Sequence, residues 1–415
     1  MKQKLYTKDF ILVVIGQIIS LFGNAAIRFA LPLYLLNQTG SSALYGSVTA
    51  CAFLPMIFFS PMGGIIADRV NKRNIMVFLD FFTAAVILAF TMLHTSIDLV
   101  LLLTITLMLL YGIAGAYQPA VQASMPALVD SDQLMAANSI INMISSLASL
   151  LGPILGGILY SSYGLTPILW VCTACFLLSA TMEIFIHIPF SGQPTSGSIW
   201  QILKTDLTDS FRFIRYDKPS IWKAILTVCG INLFLSAMIV VSLPWLITEI
   251  LDFSPARGNE LYGFAQGALA AGGLAGGICA GAFSRRLSIR NTGNLLITGT
   301  LCVFPIAAVF FFPSSDLNRY IVLTLCCFLL MIFSTVFTIQ IMSFIQAQTP
   351  SRIVGKVISV ILTISMCTQP LGNALYGVLF ELFRGHEAAV ILFSGIVSLF
   401  IACISRRFFH TLAEE

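Results

Sequence analysis

Long apolar runs alternate with short polar connectors along the whole chain, and this pattern predicts the fold class. A run of about 20 apolar residues can cross a bilayer as a helix, because a helix satisfies its backbone polar groups within its own segment. There are twelve such runs, at residues 10–36, 43–67, 75–94, 98–122, 134–160, 166–188, 220–248, 260–283, 292–312, 320–346, 355–382 and 387–405. We therefore predict an all-α membrane protein with twelve transmembrane helices.

The composition excludes an ordinary soluble domain. Of the 415 residues, 58% are hydrophobic and only 10% are charged, whereas soluble domains carry about 25% charged residues. Cys172 and Cys175 form a C-x-x-C on one face of an apolar run, where small apolar packing explains them better than a redox or metal pair. The four histidines share no spacing, so we expect no metal and no cofactor.

The distribution of Lys and Arg predicts how the chain crosses the membrane. Connectors on one side carry most of the 22 basic residues, whereas connectors on the other side carry only Arg257, Arg319 and Arg384. Positive charge stays on the cytoplasmic side. We therefore expect a multi-pass protein of the plasma or inner membrane with both termini in the cytoplasm. The net charge of +4 then reflects topology and does not indicate nucleic-acid binding.

A polar connector after the second run recurs in the second half of the chain. Its residues Gly64, Arg69, Arg73 and Asn74 return 217 positions later as Gly281, Arg286, Arg290 and Asn291, whereas Asp68 is replaced by Arg285. At the same offset, Leu44-Tyr45-Gly46 returns as Leu261-Tyr262-Gly263 and Pro153 returns as Pro370. Matches that share one offset indicate a duplicated chain. We predict two pseudo-symmetric six-helix bundles, at residues 1–190 and 220–415.

Residues 191–219 form a polar stretch between the two predicted bundles. It contains Pro194 and Gly197 and a cluster of basic residues. The apolar residues between Trp200 and Ile214 have helix-like spacing, which predicts a cytoplasmic linker with an amphipathic helix on the membrane surface. A flexible tether fits the same stretch.

Two motifs make the chain resemble the major facilitator superfamily. The family signature Gly-x-x-x-Asp-Arg-x-x-x-Arg is matched at Gly64, Asp68, Arg69 and Arg73. The antiporter motif Gly-Pro-x-x-Gly-Gly is matched at Gly152, Pro153, Gly156 and Gly157. The run from Pro119 to Val129 resembles the macrolide-efflux and siderophore-exporter branch of drug antiporters. The resemblance covers essentially the whole chain and implies the major facilitator fold.

The resemblance also implies roles for these motif residues. A carboxylate at Asp68 can accept bonds from a helix N-terminus, and in the family fold this helix is span eleven, which starts here near Gly355. Such a contact, together with Gly64, Arg69 and Arg73, would latch the cytoplasmic side. The arginines can alternatively be positive-inside markers alone. The glycines of the antiporter motif can form a pliable contact between the halves or serve ordinary helix packing.

Arg28 is the most costly residue in the predicted spans. It lies about 7 Å from the middle of span one,, where an ionisable side chain usually faces protein or water and is functional. Gln17, Ser20, Asn24 and Arg28 share one helical face, and span one lines the central cavity in the family fold. The other reading is that Arg28 snorkels to the outer surface.

Further polar and aromatic side chains are candidates for substrate binding. With Gln17, Asn24 and Arg28, the candidates are Tyr111, Gln118, Asn138, Asn142, Asn232, Phe337, Gln340, Gln369 and Asn373. Amides and aromatics without a dense charge cluster suit a large, amphipathic, weakly charged ligand. Each of these side chains can equally serve as a contact between helices.

Proton coupling has few candidates in this sequence. Many members of the family carry an arginine inside span four, and this span has none; many relatives carry an acid in span one near Asn24, and asparagine cannot carry a proton. Asp80 and Glu183 are the acids inside spans, and we regard them as candidate proton carriers. The alternative is that they pair with basic residues of the connectors.

The resemblance implies a secondary transporter that exports an amphipathic small molecule, a macrolide-like drug or siderophore-like compound, by alternating access and proton antiport. Its partners would be this small molecule, protons and membrane lipid, and we expect a monomer. The sequence contains no ATP-binding Gly-x-x-x-x-Gly-Lys-Ser/Thr motif, and no visible nucleophile–base set of an enzyme. An uptake permease of the same fold and a non-transporting membrane sensor are the alternatives.

Overall fold

The structure is a computed structural model that describes residues 7–130, 133–188, 208, 210–283, 289–350 and 353–412. Within this part of the chain, twelve helices are long and apolar enough to cross a membrane. They are α1 (Lys8–Thr39), α2 (Ser42–Arg69), α3 (Lys72–Leu93), α4 (Leu99–Leu128), α5 (Leu134–Tyr163), α6 (Leu165–Ile184), α7 (Pro219–Ile250), α8 (Pro255–Ala282), α9 (Asn291–Phe311), α10 (Asp316–Gln348), α11 (Val354–Leu382) and α12 (Glu387–Leu412). The twelve spans predicted from the apolar runs are confirmed.

Helix α4 continues beyond the predicted end of its span and stops at Leu128. Pro119 and Pro126 lie inside it, and each lacks the N–H that a helix interior normally uses. The helix continues because Val121 and Met125 are buried in a core cluster with residues of α1, α3 and α5. Burial of this face therefore outweighs the two lost hydrogen bonds.

Two helices of the second half are irregular. Helix α7 contains π turns at Asn232–Ser236 and Leu246–Ile250, and α9 is divided at Cys302. A π turn inserts one extra residue into the helix and re-aims the side chains that follow it. Asn232, a candidate binding residue, begins the first of these turns.

The chain divides into two compact units. Unit 1 comprises Met1–Thr39, Cys51–Ile199 and Pro255–Gly267. Within it, α1 packs against α5 and α6, and α3 packs against α4 and α6. The unit therefore contains most of the first six helices together with the first turns of α8.

Unit 2 comprises Gly40–Ala50, Trp200–Ser254 and Ala268–Glu415. Within it, α9 packs against α10 and α12, and α11 packs against α7. The first turns of α2 belong to this unit. The bundle boundaries at residues 190 and 220 stay a prediction.

The repeated Leu-Tyr-Gly tripeptide has a packing role in unit 1. Its second copy ends at Gly263, where an added Cβ would lie 2.7 Å from the Pro153 carbonyl oxygen and 3.1 Å from the Gly157 Cα. Only glycine therefore permits this approach of α8 to α5. Beside it, Asn37 donates a hydrogen bond to Asn259 Oδ1 at 2.9 Å.

The first copy of the tripeptide has the same role in unit 2. It ends at Gly46, where a Cβ would overlap the Asn373 carbonyl oxygen and lie 2.8 Å from the Gly377 Cα. One turn earlier, Ser42 donates to the Gly377 carbonyl oxygen at 2.9 Å, and Glu381 accepts a bond from Ser41 at 3.0 Å. The duplication therefore preserves one glycine contact in each unit.

The antiporter motif divides its glycines between two neighbours. A Cβ at Gly152 would overlap Ala25 of α1, and one at Gly156 would lie 3.1 Å from the Phe29 ring. Both glycines therefore allow α5 to pack closely against α1. Gly157 instead lies against Gly263 of α8. The role of the motif as a pliable contact stays a prediction.

The connector between α2 and α3 is short and capped. Asn71 precedes α3, and its side-chain oxygen accepts a hydrogen bond from the Arg73 backbone N–H at 3.1 Å, which satisfies a free donor of the first turn. The side-chain surroundings of Gly64, Asp68 and Arg69 lie outside the described part of the structure. The latch assigned to these residues stays a prediction.

The linker between the predicted bundles lies mostly outside the described residues, which resume fully at 210. A π turn at Phe213–Asp217 leads into α7. Its Ile214 is buried, and Phe211 packs edge-on against Trp222 with ring centroids 5.6 Å apart. The choice between amphipathic helix and tether depends on residues 191–207, so it stays open.

Candidate functional site

The polar stripe of α1 turns into unit 1. Gln17 and Ser20 are almost fully buried, with exposed fractions of 0% and 2%. Asn24 and Arg28, farther along the same face, line a cavity beside α1. The stripe predicted from the spacing therefore begins buried at Gln17 and reaches the cavity at Ser20, Asn24 and Arg28.

The cavity has a volume of about 360 Å³ and is bounded by α1, α2, α4 and α5. Its walls are Ser20, Leu21, Asn24, Ala25, Arg28, Met56, Ala114, Tyr117, Gln118, Ser145, Ala148 and Ser149. A small number of polar groups in a partly apolar cavity is the usual composition of a small-molecule site.

Arg28 is held in this cavity by an aromatic ring. Its guanidinium carbon lies 3.6 Å from the centroid of the Tyr111 ring, a cation–π contact worth about 0.5–2 kcal/mol. Its Nε and Nη2 atoms are buried without a hydrogen-bond partner among the described residues. Tyr111 in turn packs edge-on against Phe53, with ring centroids 5.0 Å apart. Two candidate binding residues, Arg28 and Tyr111, are therefore in contact, and two donors of Arg28 are buried and unpaired.

A buried hydrogen-bond network lies next to the cavity. Gln17 Nε2 donates to the Tyr117 hydroxyl at 2.7 Å, and this hydroxyl donates to Glu183 Oε1 at 2.7 Å. Ser20 donates to Asp80 Oδ1 at 3.1 Å. Ser20 and Tyr117 also line the cavity, so the two buried carboxyl groups are one side chain away from it.

Close packing of α6 against α1 brings Glu183 into this network. Gly16 has no side chain, and a Cβ there would lie 3.4 Å from the Ser179 hydroxyl oxygen and 3.7 Å from Glu183 Cγ. Ser179 donates to the Gly16 carbonyl oxygen at 3.1 Å. The glycine therefore permits the contact that places the carboxyl group beside Tyr117.

Neither carboxyl group of the network has a cationic partner in the described part of the chain. The ion pairs seen between described residues include Arg257–Glu260 and Arg319–Asp316, and Asp80 and Glu183 take part in none of them. Pairing of Asp80 and Glu183 with connector cations, the alternative from the sequence, is therefore not seen among these residues. Burying an unpaired charge costs several kcal/mol, and a proton on either carboxyl group removes that cost.

The second oxygen of each carboxyl group is free to hold such a proton. Asp80 Oδ2 and Glu183 Oε2 are buried and have no hydrogen-bond partner among the described residues. The two groups also interact electrostatically with each other, so two negative charges here repel. The network can therefore take up and release a proton without breaking an ion pair.

Two candidate residues of unit 2 join helices of that unit. Asn232 Nδ2 donates to the Ser365 carbonyl oxygen at 3.1 Å, which links α7 to α11. Gln340 Oε1 accepts a bond from the Thr292 hydroxyl at 3.1 Å, which links α10 to α9. The sequence allowed each of these side chains either to bind substrate or to connect helices, and these bonds show the second role. A part of Asn232 and Gln340 in substrate binding stays a prediction.

The remaining candidates of unit 2 are also engaged within it. Gln369 Nε2 donates to Asn373 Oδ1 at 3.1 Å along α11. Asn373 is fully buried, and its backbone faces Gly46. Phe337 is only 3% exposed. A part of these three residues in substrate binding stays a prediction.

The two candidates of α5 do not line the cavity beside α1, and their part in substrate binding stays a prediction. Asn138 and Asn142 are exposed and do not line the cavity, whereas Ser145 and Ser149 do. The four positions continue one helical stripe, so extending the stripe would have found the serines. No comparable pattern in the sequence marks Tyr117 as a functional residue, because its role depends on Glu183 of another helix.

Two other parts of the structure offer fewer groups that could bind a polar ligand or a metal ion. Among the residues that the structure describes, no group of three or more His, Cys, Asp or Glu could hold a metal ion.

A larger groove of about 670 Å³, formed by α2, α3 and α4, is lined almost wholly by apolar side chains that include Phe59, Phe78 and Phe82. Its walls suit hydrocarbon better than an oriented polar ligand.

Comparison with known proteins places the chain among transporters. A family model described as the Major Facilitator Superfamily matches residues 13–373. Macrolide efflux protein A of Streptococcus pyogenes is 22% identical over 363 residues, which cover 87% of this chain and 86% of that protein. The multidrug efflux pump Tap of Mycolicibacterium fortuitum is 23% identical over 392 residues, which cover 91% of this chain and 92% of the pump.

The fold has a counterpart among solved structures. A crystal structure of a mutant of the nucleoside transporter NupG matches with a TM-score of 0.76 and 14% identity, covering 96% of this chain and 99% of that chain. At this identity the likeness concerns the fold alone. It confirms the predicted fold class, a twelve-helix membrane protein of the major facilitator type.

Proposed function

The chain belongs to the Major Facilitator Superfamily, and we propose that this transporter exports an amphipathic small molecule in exchange for protons. The observation that carries the proposal is the direct connection between the cavity and the two buried carboxyl groups. Ser20 and Tyr117 line the cavity and donate hydrogen bonds to Asp80 and Glu183. Ligand and proton thus act on the same two side chains.

Antiport needs ligand and proton to exclude each other, and this geometry can supply the exclusion. A ligand group that carries positive charge beside Ser20 and Tyr117 stabilises the carboxylate forms of Asp80 and Glu183. The same group disfavours a proton on either carboxyl group. Binding on one side of the membrane would release the proton, and protonation on the other side would release the ligand. Alternating access then couples the two flows.

Export is the direction that the relatives support. Both efflux proteins named above match the chain over most of its length, and the antiporter motif of α5 places Gly157 against Gly263. A macrolide-like drug or a siderophore-like compound is therefore the substrate class to test first. We propose that the transporter works as a monomer in contact with membrane lipid.

Inside-out membrane vesicles from cells without their own exporters test this proposal. When the vesicle interior is acidified, we expect a macrolide, dye or siderophore to accumulate inside and to raise the internal pH as it enters. Collapse of the pH gradient with nigericin should stop accumulation. Accumulation in right-side-out vesicles instead would establish an uptake permease, and no flux of any compound would favour a sensor.

The proposed topology makes a separate prediction about the location of two serines. We expect both termini to be cytoplasmic in the cell membrane, because basic connectors stay inside. In a chain whose ten cysteines are replaced, Ser41→Cys should react with a membrane-impermeant maleimide added outside intact cells. Ser196→Cys should react only in inside-out vesicles. Labelling of the Ser196→Cys chain from outside would contradict the topology.

A further inference from the structure

We propose that the cavity beside α1 binds an amphoteric ligand, with a carboxylate at Arg28 and a cationic group at the opposite end beside Ser20 and Tyr117. The inference rests on the proposed function, because it names the class of small molecule that the transporter carries. It is carried by the unpaired donors of Arg28, the position of the two carboxyl groups and the residues that line the cavity.

The free donors of Arg28 have the arrangement that a carboxylate recognises. Its contact with Tyr111 is made through the ring face, 3.6 Å from the guanidinium carbon, and uses no N–H group. Nε and Nη2 are the buried atoms without a partner among the described residues. These two nitrogens form the side-on fork of a guanidinium, which binds both oxygens of a planar anion at once.

The structure does not support snorkelling as the role of Arg28. The residue lies about 16 Å before the end of α1 at Thr39, at 1.5 Å of helix per residue. Its guanidinium faces Tyr111 and the cavity and does not extend toward that end of the helix. A buried cation in a membrane helix usually serves a pathway or a ligand.

The opposite end of the cavity has the opposite electrostatic character. Ser20 lies about 12 Å from Arg28 along α1,, and Asp80 is directly behind it. Tyr117 leads in the same way to Glu183. Other residues of the wall are uncharged. The cavity therefore attracts an anion at one end and a cation at the other.

The remaining walls define the body of the ligand. Leu21, Met56 and Ala114 provide apolar surface between the two ends. A volume of about 360 Å³ lies at the lower end of the range for small-molecule sites. An aromatic or aliphatic body with a charged group at each end fits this frame, and a polyanion does not.

Binding to the purified full chain tests the inference directly. Norfloxacin and ampicillin are zwitterions with an amine and a carboxylate, and each has an ethyl ester and an N-acetyl derivative as matched controls. By isothermal titration calorimetry, we expect at least one zwitterion to bind about tenfold more tightly than either derivative, because each derivative leaves a charged end unpaired. Equal binding of zwitterion and ester for both scaffolds, or no binding of either zwitterion, would overturn the inference.

Variants of Arg28 assign the anionic end of the ligand. Arg28→Gln should bind the zwitterion about tenfold more weakly and the ester as tightly as the original chain, because the ester lacks the carboxylate. Arg28→Lys should give an intermediate affinity, because it retains charge and loses the fork. The control is Arg319→Gln, since Arg319 is already paired with Asp316 at 3.4 Å. An equal loss of zwitterion and ester in Arg28→Gln would show a merely structural role.

Binding and flux separate this inference from the proposed function. Selective zwitterion binding without proton-driven flux would support the amphoteric site and refute the proposed proton-driven export. Proton-driven export of esters and zwitterions at equal rates would support the exporter and overturn the amphoteric site. Movement of the zwitterion together with protons would retain the site and overturn antiport.

Discussion

Replacing Asp80 by Asn or Glu183 by Gln should uncouple transport from the proton gradient. Each amide keeps the size of the side chain and cannot take up a proton. We expect the initial rate of gradient-driven export to fall at least about tenfold, which corresponds to about 1.4 kcal/mol. Exchange of labelled for unlabelled substrate at equal pH should continue, because that reaction needs no net proton movement. The measurement is flux into inside-out vesicles with and without a pH gradient.

Asp98→Asn provides the matched control for this experiment. Asp98 is exposed, and its side chain caps α4 by accepting a bond from the Leu101 N–H at 2.9 Å. Asparagine caps a helix about as well as aspartate, so coupling should be unchanged. Tyr117→Phe removes the donor to Glu183 and should shift the pH profile of export. Gradient-driven export at the original rate in the double variant Asp80→Asn, Glu183→Gln would refute the coupling assignment.

Gly46→Ala and Gly263→Ala should shift the transporter away from the conformation described here. A methyl group at Gly46 would overlap a backbone carbonyl oxygen, and one at Gly263 would lie 2.7 Å from another. Neither carbonyl can rotate away as a side chain can. Overpacking of this kind costs about 1–3 kcal/mol, which changes a two-state ratio by about fivefold to about 150-fold. We therefore expect separation of α2 from α11 in one variant and of α8 from α5 in the other.

Distances between spin labels at these helix ends measure the shift. Gly277→Ala is the control within α8, because a Cβ there meets no atom within 4 Å and alanine favours a helix. It should leave both the distances and the export rate unchanged. If Gly46→Ala and Gly263→Ala also leave the distances unchanged, the two glycine contacts do not stabilise the described conformation.

The spacing along α1 was sufficient to predict a functional face, because residues on one helix have a fixed geometry. Gln17, Ser20, Asn24 and Arg28 do turn into unit 1 together. The spacing did not indicate that Gln17 and Ser20 join a buried hydrogen-bond network whereas Asn24 and Arg28 line only the cavity. That difference depends on which helices pack at each level, and α6 approaches the first half of the stripe at Gly16.

The candidate residues for proton coupling show more clearly that spacing along one helix does not predict contacts between helices. The sequence has asparagine at position 24, near which the family resemblance implies an acid in many relatives, and it has two acids far away in spans three and six. Ser20 and Asp80 are 60 positions apart, and Tyr117 and Glu183 are 66 positions apart. No helical period relates residues at such distances. The sequence named Asp80 and Glu183 as separate candidates, and the packing of α1, α3, α4 and α6 joined them in one network.

The sequence by itself determined the twelve membrane-crossing helices, the duplication and the candidate residues on each helix face. Bilayer thickness and backbone hydrogen bonding impose the helices on any chain with such apolar runs, and matches at one offset indicate the duplication. Only the tertiary structure decided which polar side chains meet. It placed Arg28 over Tyr111, joined two carboxyl groups to the cavity through Ser20 and Tyr117, and engaged Asn232 and Gln340 in contacts between helices. Contacts between helices depend on the side-chain surfaces of both partners, and the periodicity of one helix does not contain that information.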